Sequence, residues 1–162
     1  MMENVEFRGC QPEDLSMCVS IEAASYPADE AASPEALRYR QKHAARYFWC
    51  AILNKNALIG FVCATRCTKF THESMSVHDP SGALLAIHSV VVAEAYRRNG
   101  IATRMLKNYI QNILQERKNS RPTKIVLLAK AHLLTFYVQC GFQVMYVERL
   151  LHERSVPRET LC

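Results

Sequence analysis

Residues 84–114 read LLAIHSVVVAEAYRRNGIATRMLKNYIQNIL, which is an apolar run, a basic turn with one glycine, and a segment whose apolar residues recur every three or four positions. The run from Leu84 to Val92 is interrupted only by His88 and Ser89, which predicts a strand buried in the middle of a sheet. The recurring apolar residues after it predict an amphipathic helix. We therefore expect a central strand that leads through a glycine-bearing turn into a helix.

The segments on both sides of this unit predict the rest of a mixed α/β sheet. The hairpins in the pattern are antiparallel, whereas the strand, long helix and following strand form a crossover unit with parallel strands. The predicted order is β-α-α-β-β-β-α-β-α-β, with no internal repeat. The strands are expected at 5–8, 47–53, 58–68, 84–92, 124–130 and 142–150, and the helices at 12–24, 33–43, 101–114 and 132–140.

The composition is typical of a globular domain. The chain has 162 residues, of which 49% are apolar and 22% charged, enough to bury one core. Its apolar stretches fall far short of the ~20 residues that a membrane-spanning helix needs. The N-terminus carries an acidic residue at position 3 and no apolar core. We predict a single domain over residues 1–162, in the cytoplasm, with no membrane partner.

The formal net charge of +5 suits any polyanionic partner, from nucleic acid to a phosphorylated cofactor. The basic residues at positions 38, 40, 42 and 46 do not share one stripe of a helix, and no aromatic residues alternate with them on a strand. A nucleic-acid partner is therefore not expected. The segment 154–158 is interpreted as a solvated tail.

The cysteine pattern predicts buried, reduced thiols. There are seven cysteines, an odd number, and they lack the paired CxxC spacing of zinc and redox motifs. His72, His78 and His132 are scattered, so no metal site is expected. The cysteines are Cys10, Cys18, Cys50, Cys63, Cys67, Cys140 and Cys162.

The turn between the central strand and its helix has the features of an anion site. A helix N-terminus presents free backbone N–H groups and the positive end of the helix dipole. Gly100 permits close backbone approach, Ala102 is small, and Arg97 and Arg98 add positive charge. A diphosphate fits such a turn, although many strand-to-helix turns carry a glycine.

Two ordered motifs make the chain resemble a known superfamily. Residues 97–102, RRNGIA, resemble the Arg/Gln-x-x-Gly-x-Gly/Ala signature of the GNAT acetyltransferases. Residues 136–142, FYVQCGF, resemble their second signature, Phe-Tyr-x-x-x-Gly-Phe. The resemblance implies a GNAT-like acyl-CoA N-acyltransferase fold and acetyl-CoA as co-substrate, without a metal. Its cofactor-binding residues would be Val90, Val92, Arg97, Arg98, Asn99, Gly100, Ile101, Ala102 and Thr103.

The resemblance extends to the arylalkylamine (serotonin-type) N-acetyltransferase branch. Residues 70–74, FTHES, ahead of 86–92, AIHSVVV, are similar to that branch. Residues 26–33, YPADEAAS, are similar to the amine-side loop of its microbial and lower-eukaryote members, some of which take polyamines. This implies transfer of acetyl from acetyl-CoA to a primary amine, with Tyr26, Pro27, Asp29 and Glu30 at the acceptor.

His88 and Tyr137 are the expected catalytic residues. Strand alternation predicts that His88 shares a face with Ala86, Val90 and Val92, where an imidazole accepts the amine proton. Vertebrate-type enzymes of this branch have a second histidine at the position of Ala86, so we expect a single histidine that works through ordered water, with Glu22 as a candidate helper. The second signature implies Tyr137 as the acid. Core packing explains both residues as well.

Several alternatives remain open from the sequence. The acceptor is a small arylalkylamine, a polyamine, or a protein lysine or N-terminus. Less favoured is a non-catalytic sensor that binds CoA. Tyr39 and Phe48, like Tyr26 and Pro27, are either walls of an aryl pocket or core residues.

Overall fold

The computed structural model describes residues 4–148 and 158–161 of the chain. They form one seven-stranded sheet in the order β1-β2-β3-β4-β5-β7-β6. The β4–β5 pair is parallel, and the other neighbouring strands are antiparallel. The strands are β1 (Val5–Gly9), β2 (Phe48–Leu53), β3 (Ala57–Cys67), β4 (Leu84–Val92), β5 (Lys124–Lys130), β6 (Val144–Glu148) and β7 (Arg158–Leu161), and the helices are α1 (Leu15–Ser25), α2 (Pro34–His43), α3 (Ile101–Leu114) and α4 (Leu134–Gln139).

The predicted mixed α/β sheet is confirmed, and β4 lies at its centre. The bounds of β4, α3 and β5 coincide with the predicted ones because their apolar periodicity is strong. Helix α2 begins directly after its N-cap residue, Ser33, because the Ser33 Oγ accepts a hydrogen bond from the Ala36 N–H at 3.1 Å. The helix predicted to begin near Pro12 opens instead with one 3₁₀ turn, Pro12–Asp14, before α1.

Each face of the sheet carries its own buried cluster. On one face, α3 packs Met105, Leu106 and Tyr109 against the sheet. On the other face, α1 and α2 cover a second cluster that includes Leu37 and Phe61. None of these five side chains is more than 1% exposed. The sheet is therefore anchored on both faces.

The predicted end of the chain differs from the structure. The last predicted strand corresponds to β6, which begins two residues later than expected, and residues 149 and 150 lie outside the described part of the chain. The interpretation of 154–158 as a solvated tail is wrong at its last residue, because Arg158 begins β7, and 154–157 lie outside the described residues. Strand β7 pairs with both β5 and β6, which satisfies its backbone groups although its four residues carry no apolar pattern.

Strand β4 changes its pairing at His88. On the β3 side, Ala64 pairs with Ile87 and Cys63 with Ser89, so His88 is an extra residue that forms a β-bulge. On the β5 side, pairing stops at Ile87 and Leu127 although both strands continue. The two strands therefore separate just beyond the bulge. In the described part of the chain, no helix is long and apolar enough to cross a membrane.

Candidate active site

A cavity of about 400 Å³ occupies the space where β4 and β5 separate. Its walls come from the end of α1 and the loop after it, from the final residues of both strands, and from α4. It brings together most of the residues that the sequence singled out at the acceptor and reaction centre. They are Tyr26, Pro27, Glu30, His88, Val90, Val92, Arg97 and Tyr137.

The His88 imidazole lies in the cavity wall as a neutral ring. Its Nε2 lies 2.7 Å from the Thr65 Oγ1, and its Nδ1 is buried without a hydrogen-bond partner among the described residues. Desolvation, together with the positive charge of Arg40, lowers the pKa of His88 to about 3. The ring is therefore uncharged at neutral pH, and its buried Nδ1 is left unsatisfied by the described residues.

The bulge overturns the expected alternation of β4. Ile87, Val90 and Val92 pack in the α3-side cluster, whereas Ala86 lies in a separate small cluster with Cys67 and Val126. The prediction that Ala86 shares a face with Val90 and Val92 is therefore wrong, because an extra residue in the strand reverses the later side chains. The neighbouring Ser89 hydroxyl, by contrast, donates a hydrogen bond to Glu22 of α1.

Glu22 is a buried carboxylate that the sequence named only as a helper. Its Oε1 accepts hydrogen bonds from the Ala32 N–H at 3.0 Å and the Ser89 Oγ at 3.1 Å. Its Oε2 is buried without a partner among the described residues, and the residue as a whole is 2% exposed. Burial raises the pKa of Glu22. The sequence feature that points to Glu22 as a functional residue is that it is the one acidic residue in a helix that is otherwise mostly apolar.

Two phenols line the same cavity. Tyr137 is 7% exposed and packs edge-on against Phe136 and Phe142, at centroid distances of 4.9 and 5.8 Å. Burial raises its pKa to about 12. The Tyr26 hydroxyl donates a long hydrogen bond of 3.5 Å to the Val90 carbonyl, and burial also raises its pKa. Both side chains are therefore protonated and act as hydrogen-bond donors at neutral pH.

The basic turn after β4 divides into structural and exposed residues. The Arg97 Nε donates to the Val92 carbonyl at 2.9 Å and its Nη2 to the Ser25 Oγ at 3.0 Å, which ties the end of β4 to α1. The Asn99 amide donates to the carbonyls of Tyr96 and Arg97, which closes the turn. These two predicted cofactor-binding residues therefore shape the turn, whatever else they bind.

The N-terminus of α3 remains open to a ligand. Gly100, which precedes the first helical residue, has a φ of 73°, a left-handed conformation that favours glycine. Because glycine has no side chain with which to cap the helix, the first amide N–H groups of α3 are left for another partner. A Cβ at Gly100 would meet no heavy atom within 4 Å, so the space before the helix is empty. Arg98 is exposed beside it, with a φ of 63°.

The expected acceptor residues are only partly assembled. Glu30 lines the cavity, but its Oε2 lies 2.7 Å from the Nζ of Lys130, which neutralises its charge. Asp29 is exposed and does not line the cavity. Tyr39 and Phe48 also lie elsewhere: the Tyr39 hydroxyl accepts a hydrogen bond from the His78 N–H, and Phe48 stacks on Phe61 in the core. Core packing thus explains Phe48, whereas the half-buried Tyr39 packs on His43 and fixes the loop at His78.

A family model and several solved structures match this chain. A family model described as the Acetyltransferase (GNAT) family matches residues 15–142. The structure of the GphF GNAT-like decarboxylase in complex with isobutyryl-CoA superposes with a TM-score of 0.80 at 19% identity, over 96% of this chain and 97% of that chain. No curated protein sequence matches the chain significantly.

Two further solved structures have the same fold. Arabidopsis thaliana NAA60 in complex with acetyl-CoA has a TM-score of 0.71 at 19% identity, over 98% of this chain and 97% of that chain. The ribosomal-protein-S18-alanine N-acetyltransferase from Escherichia coli has a TM-score of 0.69 at 14% identity, over 97% of this chain and 91% of that chain.

Proposed function

Because the chain belongs to the GNAT family of acetyltransferases, we propose that it transfers the acetyl group of acetyl-CoA to a small primary amine that enters the cavity beside Tyr26 and Glu30. The chain is an enzyme, an acetyl-CoA-dependent N-acetyltransferase. The observation that carries the proposal is the separation of β4 from β5 directly before the open N-terminus of α3.

The donor site has two parts. Beyond the bulge, β4 has no β5 partner at Val90 and Val92, so its N–H groups are open to the amides of a pantetheine arm. The carbonyls of these two residues already accept hydrogen bonds from Tyr26 and Arg97, and each would offer the arm its second lone pair. The first turn of α3, with Gly100 before it and Arg98 beside it, supplies N–H groups and positive charge for the pyrophosphate. The two parts follow one another along the chain, which suits a ligand whose pantetheine arm is joined to a pyrophosphate.

The proton of the incoming amine goes to Glu22, by way of a water molecule held by His88. An alkylamine has a pKa near ~10 and arrives mostly protonated. With a pKa of about 3, the His88 imidazole is a poor final acceptor, because holding the proton at pH 7 would cost as much as about 5 kcal/mol. The carboxylate of Glu22, whose pKa is raised and whose Oε2 has no partner among the described residues, is the stronger base.

Tyr137 stabilises the departing thiolate. Since its pKa is about 12, its phenol remains protonated throughout the reaction and donates a hydrogen bond rather than losing its proton early. Thr65 serves a different purpose: its hydroxyl, 2.7 Å from the His88 Nε2, orients the ring so that the Nδ1 is the nitrogen left available. Thr65 is therefore a positioning residue.

The cavity favours a small apolar amine over a polycation. Apolar side chains such as Ile87, Leu128 and Leu133 form much of its wall, and Lys130 neutralises Glu30, the acid that would attract a polyamine. A small arylalkylamine fits both facts. Acceptance of a peptide remains the competing proposal, supported by the fold shared with a ribosomal-protein N-acetyltransferase.

Release of free thiol from acetyl-CoA tests the proposal. We expect turnover with tryptamine or phenethylamine to exceed turnover with spermidine or a lysine peptide. His88→Gln and Tyr137→Phe should each reduce kcat, whereas Tyr39→Phe, which removes a phenol outside the cavity, should not. Full activity of both cavity variants with the best amine would overturn the residue roles. CoA binding without thiol release for any acceptor would favour a sensor.

A further inference from the structure

Three buried cysteines that are remote in sequence meet on the α1 side of the sheet. Cys10 follows β1, Cys18 lies in α1 and Cys50 lies in β2. Their sulfur atoms all lie within 4.8 Å of one another, and the Cys18 and Cys50 sulfurs are 4.0 Å apart. All three are free thiols. None of them lines the cavity, so the acetyl transfer proposed above does not use this cluster.

The spacing of the sulfurs is close to that of a metal thiolate site. With metal–sulfur bonds of about 2.3 Å, neighbouring sulfurs lie about 3.8 Å apart in a tetrahedral site and about 4.0 Å apart in a trigonal one. The Cys18–Cys50 separation already equals the trigonal value. The other two pairs of sulfurs need to move closer by about 1 Å at most to reach the tetrahedral one. Rotation of side chains is sufficient for such a movement.

The surroundings shield the three sulfurs from solvent. Cys10 is 4% exposed, and Cys18 and Cys50 are fully buried. The Arg8 guanidinium is close enough to interact electrostatically with Cys10 and Cys50. Cys18 lies in the first turns of α1, near the positive end of the helix dipole. Bound thiolates would therefore lie in a site without access for bulk water, although the Asp14 carboxylate, which pairs with Arg8 at 2.6 Å, opposes the positive charge of that guanidinium.

We propose that Cys10, Cys18 and Cys50 bind one thiophilic metal ion, Zn²⁺ or Cu⁺. These are the ions that soft thiolate ligands select. In the described part of the chain, no His, Asp or Glu joins the three sulfurs, so the site is a three-thiolate one. Each thiol that binds forms a metal–sulfur bond and releases its proton to the buffer. The ion would fasten α1 to β1 and β2, and so hold the helix that carries Glu22.

Metal titration of the reduced, full-length protein tests this site. Co²⁺ should produce a thiolate-to-metal charge-transfer band that ends at one equivalent, and Zn²⁺ should abolish it. A parallel titration with Cu⁺ under anaerobic conditions, followed by intact-mass measurement, distinguishes the two ions. Cys18→Ser should weaken binding by more than the ~10–100-fold that loss of an outer-sphere group costs. The control, Cys67→Ser, removes a buried thiol of another cluster and should bind like wild type.

A second variant keeps the test independent of folding. Cys10→Ser changes a residue at the end of β1, and it should lose the band while its circular dichroism matches wild type. Bound Zn²⁺ or Cu⁺ should raise the melting temperature of wild type and of Cys67→Ser but not of Cys10→Ser. No band with any ion, a band that survives Cys10→Ser, or a thiol count that reveals a Cys18–Cys50 disulfide in the purified protein would each overturn the proposal.

Discussion

The two edges of β4 are held in opposite ways. Along β3, every residue of the strand except the bulged His88 is paired, and the approach is so close that a Cβ on Gly60 would lie 2.6 Å from the Val91 carbonyl oxygen. Along β5, the pairing stops at Ile87, and a cavity of about 400 Å³ follows. One strand is therefore both a fixed part of the core and a wall of the site.

The two sides of β4 differ in how completely their backbone groups are paired and in how tightly they pack. The β3 side is the closed edge, and the β5 side is the open edge. The closed edge satisfies its backbone groups and packs without space to spare. The open edge lacks a strand partner beyond Ile87, and beside it Glu22 and His88 lie where burial disfavours their charged forms. Four variants test this contrast.

The largest effect is expected at the open edge, for Glu22→Gln. If Glu22 accepts the amine proton, kcat should fall by about 1,000-fold, within the usual range for general base catalysis. Because burial raises the pKa of Glu22 above its unfolded value, its ionised form costs stability as pH rises through these values. The variant should therefore melt at or above the wild-type temperature at pH 7. Steady-state kinetics and thermal melts check both, and unchanged kcat would contradict the assignment.

At the closed edge, Gly60→Ala should destabilise the fold. The added Cβ meets backbone rather than a movable side chain, so β3 and β4 must move apart. We expect the free energy of unfolding in urea to fall by about 3 kcal/mol, as for overpacking of a core. Gly9→Ala is the matched control, because a Cβ there meets nothing within 4 Å. Equal stability of the two variants would show that the closed edge is not tight.

At the bulge between the two edges, His88→Gln should reduce acid sensitivity. The folded-state pKa of His88 is about 3, below the ~6.5 of an unfolded histidine. The unfolded chain therefore binds a proton that the folded protein does not, and stability falls as pH drops from 6.5 towards 3.

Between pH 7 and 4.5, wild type should lose about 2 to 3 kcal/mol more than His88→Gln, measured by urea unfolding. His72→Gln, which changes an exposed histidine, should follow wild type. Parallel pH profiles for wild type and His88→Gln would rule out this burial effect.

The smallest effect is expected where the open edge ends, for Arg97→Gln. The change removes both hydrogen bonds that tie Val92 to Ser25 through the guanidinium. We expect the KM for acetyl-CoA to rise about tenfold, the equivalent of ~1.4 kcal/mol, with little change in kcat. Lys107→Gln makes the same change of charge on the exposed side of α3 and serves as control. A fall in kcat at constant KM would point instead to a role in the chemical step.

Local periodicity explains how much of this could be predicted from the sequence. The bounds of β4 and α3 followed from apolar patterns within each segment, and the turn between them followed from Gly100 and its position. What depended on contacts between remote segments did not follow. The bulge at His88 is visible only in the register with β3, and β7 has only four residues without an apolar pattern.

Parts of the site also depend on contacts between residues that are remote in sequence. The Glu30–Lys130 ion pair joins residues one hundred positions apart, so the sequence showed an acid but not its neutralisation. The three sulfurs of Cys10, Cys18 and Cys50 come from three separate elements, so their spacing along the chain carried no signal. Cavity residues near a motif, such as Tyr137, could be named in advance, because the motif fixes their neighbours.

The separation of β4 from β5 also bears on aggregation. An unpaired strand edge on a protein surface recruits strands from other molecules and seeds intermolecular sheets. Here the unpaired edge lies in the wall of a cavity of about 400 Å³ that α4 and the loop after α1 also line. A strand from a neighbouring copy would have to pass α4 and this loop before it could pair with the edge, which limits edge-to-edge association.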